Sequence, residues 1–288
     1  MRYALSTATL TAITTLLFVG IAQAGGAKAS GFDACLSMFP GDAVPTAHSA
    51  TVQDLCKDAD GTPIFAVRYD TTRKTPNWTA HSLSPEQMAE IEANSGKSKR
   101  PKFSPDPNLA GDVQALDKSY RKSGFSRGHI VPANDMSWSK TSYDATFHLS
   151  NVVPQKQTFN AGTWLGAEDA FRKYVKAKNV TMWNFSGVYG VVDSEPTIGV
   201  DPNTPTVPKC YYKVITAPQG AGEPYKVLAL LFSWDDFGKR KTWVNAVTTL
   251  DVVEQRTGID FLKGVSVEPD YDADYWGMPM PEKPGDCQ

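Results

Sequence analysis

The sequence predicts an α+β fold with a central, mostly antiparallel sheet flanked by helices. Short runs rich in β-branched and aromatic residues recur along the chain, and several helical stretches carry recognisable start or stop residues. Strands and helices also fail to alternate strictly, as a parallel α/β fold would require. Pro63 to Tyr69 and Asn77 to Leu83 read as two strands separated by a polar turn. Ser84-Pro85-Glu86-Gln87 then marks a helix start, with Ser84 as cap, Pro85 at the first helical position and Gln87 closing a capping box. Gly96 to Asp112 is basic, and Pro101, Pro105 and Pro107 exclude regular structure; irregular segments this long in a compact domain are often functional.

Val113 to Lys122 reads as a short helix ended by Gly124, and Phe125 to Pro132 as an extended segment. A helical stretch around Thr141 to Thr146 precedes a strand around His148 to Val153. Phe159 to Lys178 carries the strongest helix pattern. Val180 to Phe185, Tyr211 to Ala217, Val227 to Trp234 and Trp243 to Thr248 read as strands, and Leu250 to Thr257 as a closing helix ended by Gly258. The chain has no internal repeat and no long low-complexity segment.

The N-terminus carries an export pattern. Met1-Arg2 supplies positive charge, Leu5 to Val19 is apolar or small, and Ala22-Gln23-Ala24 matches a signal-peptidase site. The expected division is a cleaved signal peptide over 1–24, an N-terminal extension over 25–62, a main domain over 63–265 and a proline-rich acidic tail over 266–288. The mature chain would then have 264 residues, 288 minus 24. It is expected to be periplasmic or secreted, with no stable membrane association once the signal is removed. No other stretch is long and apolar enough to span a bilayer.

Four cysteines, an even count in an exported chain, favour two disulfides. Four cysteines allow three connectivities; Cys35 with Cys56 and Cys210 with Cys287 is the preferred one. The absence of CxxC and of a nearby His-x-x-His argues against a zinc site.

The net charge of −2 runs against the basic footprint of a nucleic-acid binder. The local distribution differs: Lys97, Lys99, Arg100, Lys102, Lys118, Arg121, Lys122 and Arg127 crowd one stretch. A charge run alone is usually a solvated face.

Three segments carry candidate chemistry: Ser126-Arg127-Gly128-His129-Ile130-Val131-Pro132, then Phe147 to Gln155, then Asn160 to Arg172. In the third, Asn160, Trp164, Glu168 and Arg172 are spaced by four. A regular helix would place each about 40° round from the last and show an amide, a carboxylate and a guanidinium on one face. Taken singly, Glu168 with Arg172 is an ordinary ion pair, Asn160 a cap and His129 a half-buried histidine. The functional reading takes His129 as a neutral base, for which an unperturbed pKa of about 6.5 is suited. Gly128 beside it would allow a backbone geometry, or a close approach of substrate, that a side chain would block.

In this order the segments resemble the DNA/RNA non-specific endonuclease family, the ββα-metal nucleases, whose members include secreted bacterial nucleases and mitochondrial endonuclease G. The match runs through Arg127, Gly128, His129, Pro132, Leu149, Ser150, Asn151, Pro154, Gln155, Asn160, Trp164, Glu168 and Arg172. Weaker similarity extends from about Pro63 to Leu262.

The resemblance implies a ββα-metal nuclease fold and hydrolysis of DNA and RNA phosphodiesters to 5′-phosphate products. It implies His129 as general base and Asn160 as the one direct protein ligand of a hydrated magnesium ion, with manganese able to substitute. Glu168 would reach that ion through its waters, and Arg172 would offset developing charge on the phosphate. Arg100, in an Arg-x-x-Phe pattern with Phe103, matches an upstream catalytic arginine, with Lys99 or Lys102 as alternatives for substrate contact. Asn151 would support the His129 and metal geometry, and Arg127 would contact substrate or pack internally. A homodimer fits the family.

The family motif begins with aspartate where this chain has Ser126, which removes a negative charge and is read as tuning metal affinity or pH optimum. The alternatives are a non-catalytic nuclease-like binding domain, which should have lost the base or the metal ligand, and a phosphodiesterase acting on small nucleotides.

Overall fold

A meander of three antiparallel strands, β1 (Val52–Ala59), β2 (Thr62–Asp70) and β3 (Thr75–Leu83), starts the sheet. Asp60 and Gly61 join the first two at φ of 55° and 81°, the positive-φ pair that a tight antiparallel hairpin favours. The structure is a computed structural model describing residues 31–46, 51–194, 196–199, 203–235 and 238–287. The expected signal segment 1–24 lies outside the described residues. Gly31 to Gln288 groups as one compact unit.

β3 passes through Ser84 into α1 (Pro85–Asn94). The Ser84 side chain accepts from the Gln87 backbone, and the Gln87 side chain accepts from the Ser84 backbone, as the capping box expected. A separate two-stranded antiparallel ribbon follows, β4 (Ser126–His129) with β5 (Val152–Gln155), with α2 (Lys140–Ala145) between them in sequence. β5 leads into α3 (Gln157–Phe159), a π-turn over Asn160–Trp164, and α4 (Leu165–Lys178). The sheet resumes with β6 (Met182–Tyr189), β7 (Cys210–Ala217), β8 (Lys226–Ser233) and β9 (Val247–Thr248). α5 (Leu250–Thr257) and α6 (Ala273–Trp276) complete the chain. The seven-stranded sheet runs β1-β2-β3-β6-β7-β8-β9, antiparallel throughout.

Both faces of this sheet are covered, so its central strands are buried on alternate residues in both directions. Tyr211 and Ile215 of β7 pack with Trp164, Phe171 and Val175 on the α4 side. Tyr212 and Val214 pack with Phe39, Trp78, Phe185 and Phe261 on the other, where α5 contributes Val253. Area burial at about 25 cal/mol per Å² of apolar surface makes these two layers the main source of stability.

Several elements differ from the sequence reading. β1 falls within 25–62 and forms a sheet edge. Val113 to Lys122 is not a helix; only Asp117–Tyr120 closes a 3₁₀ turn, because tertiary bonds claim the preceding residues. The Ala115 backbone donates to the Tyr69 hydroxyl at 3.3 Å, and the Gln114 amide accepts from Asp106 N at 2.7 Å. The strand expected from His148 begins only at Val152, after a 3₁₀ turn over Leu149–Asn151. Of Trp243 to Thr248, only Val247 and Thr248 pair, and Arg240–Ala246 is 3₁₀. The long helix is interrupted by its π-turn.

The irregular segment after α1 is held by buried charge. Asp106 receives both its oxygens' bonds from Lys57 Nζ at 3.0 Å, and Ser150 also donates to it. Disulfides join Cys35 to Cys56 and Cys210 to Cys287, with Cα separations of 5.7 and 5.9 Å, the pairing preferred from the sequence. The segment 266–288 is integrated into the fold: Trp276 is buried and donates from Nε1 to the Val227 carbonyl at 3.1 Å, and Gly285 N donates to Val247 O at 2.9 Å. No helix among the described residues is long and apolar enough to cross a membrane.

Two helical glycines admit the chain that follows β8. A Cβ on Gly162 would lie 2.5 Å from the Gly238 carbonyl oxygen, and one on Gly166 would overlap the Arg240 carbonyl. Gly166→Ala is therefore expected to destabilise the fold by about 1–3 kcal/mol, the usual cost of overpacking. Urea unfolding measures this; unchanged stability would show that the segment can withdraw freely.

Candidate active site

The ribbon, the π-turn and α4 carry the sequence-selected residues, and a bond from Trp164 to His129 joins ribbon to helix. Gly128 pairs with Val153 and His129 with Val152 across β4 and β5. A Cβ on Gly128 would overlap the Gln155 side chain, so the close approach that glycine permits here is that of a neighbouring side chain. β5 then turns directly into the helix carrying Asn160, Glu168 and Arg172.

The helix does not have the regular geometry that four-residue spacing assumed. Asn160–Trp164 forms a π-turn, and Gly162 within it sits at φ −105°, ψ −109°. Such insertions widen the turn and are frequent at functional sites. Trp164 is thereby directed into the core, fully buried, rather than sharing an exposed face with the polar residues. Its Nε1 donates to the His129 carbonyl at 3.2 Å, fixing the backbone of the candidate base. The Lys213 ammonium lies 3.8 Å from the Trp164 ring centroid on its other side, a cation–π contact.

His129 packs against two aromatic rings that also touch each other, with centroids 5.2 Å from Phe103 and 4.8 Å from Phe147. Its Nε2 is sealed from solvent without a partner, and Nδ1 is the nitrogen left toward the open side. Burial, and then the positive charge of Arg100, lower its pKa from 6.5 to about 3. The imidazole is thus neutral at ordinary pH, the form a proton acceptor needs.

Of the three upstream basic residues, Arg100 is the one the structure connects to His129. Its guanidinium carbon is 5.5 Å from the Phe103 centroid and 5.4 Å from that of Phe147. Lys99 and Lys102 are exposed. Arg127 is drawn inward: Nε donates to Asp117 Oδ1 at 2.6 Å and Nη2 to the Asp117 carbonyl at 3.0 Å. Its guanidinium also lies over Phe103 and Tyr120, which favours the packing alternative and makes Arg127 a brace for the ring beside His129.

Asn151 is fully buried, and its side chain accepts from Val131 N at 2.8 Å and donates to the Val131 and Thr146 carbonyls at 3.0 Å. All three bonds go to backbone, so it holds the chain just beyond His129. Ser126 donates to the Gln157 side chain, linking β4 to the first turn of α3.

Asn160 is half-buried, and its side-chain amide forms no hydrogen bond among the described residues. Glu168 is 8 % exposed, and its carboxyl likewise has no hydrogen-bond partner there. Burial pushes the Glu168 pKa up, while Lys213 and Arg172 pull it down against Asp135 and Asp169. Lys213 is displaced the other way, lowered chiefly by its own burial. Among the described residues no cluster of three or more His, Cys, Asp or Glu could form a metal cage. One free amide beside one unpartnered carboxyl fits a hydrated hard cation with few protein ligands.

Arg172 is anchored more tightly than its sequence role suggested. Nη1 donates to Asp135 at 2.5 Å and Nη2 to Asp169 at 2.5 Å, while Arg240 reaches the other Asp169 oxygen at 3.0 Å. Asp135 also meets His81 Nε2 at 3.0 Å. Burial would raise the Asp135 pKa, but Arg172 and His81 more than offset it and hold the carboxyl below its usual range. Sequence reasoning missed Asp135, Asp169, His81 and Lys213. Lys213 had a readable signal, a lone lysine in the apolar run Cys210–Ala217, and Asp169 had one as the i,i+3 neighbour of Arg172; Asp135 and His81 are set by tertiary contacts that no local pattern reports.

A family model described as DNA/RNA non-specific endonuclease matches residues 53–268 of this chain. The mitochondrial nuclease EXOG of Xenopus laevis is 31% identical over 206 residues, 68% of this chain and 56% of that protein. A nuclease of Nostoc sp. (strain PCC 7120) is 29% identical over 210 residues, 70% of this chain and 72% of that protein. The chain thus spans about half the length of the EXOG relatives it matches. A crystal structure of an EndoG/EndoGI complex contains a similar fold, with a TM-score of 0.63 and 22% identity, covering 82% of this chain and 92% of that one.

The His129 environment has a direct consequence in solution. The unfolded chain takes up this proton below about pH 6.5, whereas the folded protein refuses it until about pH 3. His129 therefore costs stability progressively as pH falls through that window and nothing above it. In the metal-free protein, NMR of the His129 imidazole should show no protonation down to about pH 5. A midpoint near the ordinary histidine value would contradict the sealed pocket.

Proposed function

The chain belongs to the DNA/RNA non-specific endonuclease family, and from that premise we propose that it is an exported, magnesium-dependent endonuclease that hydrolyses phosphodiester bonds in DNA and RNA. The observation that carries this reading is a neutral His129 whose carbonyl is bonded by Trp164, on the helical run that also carries the free Asn160 amide and the Arg172 guanidinium. His129 accepts a proton from the attacking water through Nδ1, its open nitrogen. The Trp164 bond to its carbonyl and the Phe103 and Phe147 rings hold it in place, so little reorganisation accompanies the transfer. Asn160 would hold the cation, with Glu168 in reach through water; when bound, magnesium would supply positive charge to the phosphoryl and leaving oxygens.

Arg172, fixed by Asp135 and Asp169, presents its remaining positive potential to the phosphate, and Arg100 approaches from the opposite segment. Preorganised cations of this kind stabilise charge where it develops. Cleavage leaves a 5′-phosphate, and contacts directed to phosphate and sugar leave base sequence largely unread. Two disulfides suit an oxidising compartment and support export, together with the signal-like pattern of residues 1–24. Ser126 bonds Gln157 without adding charge, which supports a role in setting the ribbon–helix junction and, through it, metal affinity.

Plasmid DNA and RNA should both be degraded in magnesium and spared in chelator. His129→Ala should retain the fold and cleave about 10²–10⁴ times more slowly, the usual contribution of a general base. Cleavage of plasmid at the wild-type rate by the folded His129→Ala protein would overturn the assignment.

A further inference from the structure

Beside Arg172 lies a cleft of about 400 Å³ whose lining is chiefly polar. Asn94 at the end of α1 and Ser98 in the following segment form one side, Asn134 and Ser137 another, and Tyr143 of α2 a third. Arg172 closes it toward the candidate catalytic group. The cleft is not an isolated surface depression. The Tyr143 ring packs at 5.2 Å from Phe147, and Phe147 packs at 4.8 Å from His129. An aromatic series therefore leads from the cleft to the proposed base, while Arg172 belongs to both the cleft and the phosphate site.

We propose that this cleft is a subsite for the nucleoside portion of one unpaired nucleotide adjacent to the scissile phosphate, an assignment that rests on the nuclease reading above. Three features select that occupant. The volume of about 400 Å³ suits one nucleoside. Ser98 and the Asn134 amide offer donors and acceptors, and the Asn94 and Ser137 oxygens remain as acceptors because Asn94 donates to the Trp138 carbonyl and Ser137 to the Asn134 carbonyl. The Asp169 carboxylate adds an acceptor of the kind sugar hydroxyls and base amines meet. Tyr143, half-buried with a face on the cleft, provides a stacking surface, which is indifferent to base identity because every base has a π-face. The substrate class is then a single strand, or a duplex that has first released one nucleotide from its stack. Duplexes carry the added cost of that unstacking.

The test uses the purified full chain and two substrates, a single-stranded oligonucleotide and the base-free diester bis(4-nitrophenyl) phosphate. Tyr143→Ala should raise KM for the oligonucleotide about tenfold beyond any effect on the small diester, and Tyr143→Phe should restore it because the stacking face returns. Ser98→Trp, which fills the cleft from an irregular segment, should act like Tyr143→Ala. A 2-aminopurine placed in the oligonucleotide should lose fluorescence on binding to the wild-type protein and less so with Tyr143→Ala. Wild-type oligonucleotide KM in both Tyr143→Ala and Ser98→Trp would overturn the proposal. So would equal KM values for matched single and double strands. Quenching by a wild-type protein that hydrolyses neither substrate would keep the subsite and reject the nuclease reading.

Discussion

One hydrogen bond joins the two halves of the candidate site: the Trp164 indole N–H to the His129 carbonyl, at 3.2 Å. It ties the helix that carries Asn160, Glu168 and Arg172 to the ribbon that carries the base. The bond requires the π-turn, because Trp164 must reach inward while Asn160, four residues earlier, remains at the surface of the site. The turn in turn requires Gly162, whose backbone leaves helical geometry and whose missing side chain makes room for the Gly238 carbonyl. The indole is locked by Phe159, Tyr211 and Phe232 around it and by Lys213 against its face. Position at the reacting centre is thus set by the apolar core below it.

Beneath the site lies a polar series, buried at Asp135 and Arg172 and open to solvent at Arg240, that an apolar core would not need. His81, Asp135, Arg172, Asp169 and Arg240 form one connected series, and Lys213 bonds Ser186 at 3.0 Å beside Glu168. Buried ion pairs return little net stability because desolvation consumes most of the Coulombic gain. Their effect here is geometric: Arg172 cannot swing away, and its charge stays beside the place where a phosphate would sit. The same arrangement resolves a tension in the composition. An overall charge of −2 does not hinder binding to a polyanion when fixed cations are concentrated where the backbone must pass.

The periodicity of the chain was sufficient for most of the sheet and for α1 and α5, because Ser84, Gln87 and Gly258 mark their ends through local bonds. It failed where tertiary partners claimed the backbone. Gln114 and Ala115 look helical but are bonded to Asp106 and Tyr69, and Trp243 to Ala246 looks extended but continues a 3₁₀ segment that starts at Arg240, against Gly166 of the long helix. At the site, residue identity pointed to His129, Asn160, Glu168 and Arg172, yet spacing misplaced Trp164, since a regular helix was assumed through a π-turn. Asn151 was read as a support for the His129 geometry; its bonds to Val131 and Thr146, visible only in three dimensions, are made to the backbone beside His129. Asp169 was within reach of a local reading, as the i,i+3 partner of Arg172 on one helix, whereas Asp135 had no local signature because only the fold brings it to Arg172.

The account therefore turns on whether Trp164 places His129 for chemistry or merely fills space. Trp164→Phe keeps an aromatic ring in the cage and removes the single N–H, at a stability cost of about 1–3 kcal/mol for the orphaned carbonyl. The plasmid cleavage rate of this variant in magnesium, compared with its thermal unfolding midpoint, separates the two roles. The expected result is a cooperative unfolding transition with the midpoint only modestly lowered and a cleavage rate reduced about tenfold or more, as a displaced base implies. Wild-type cleavage by the folded variant would show that the bond does not position the base.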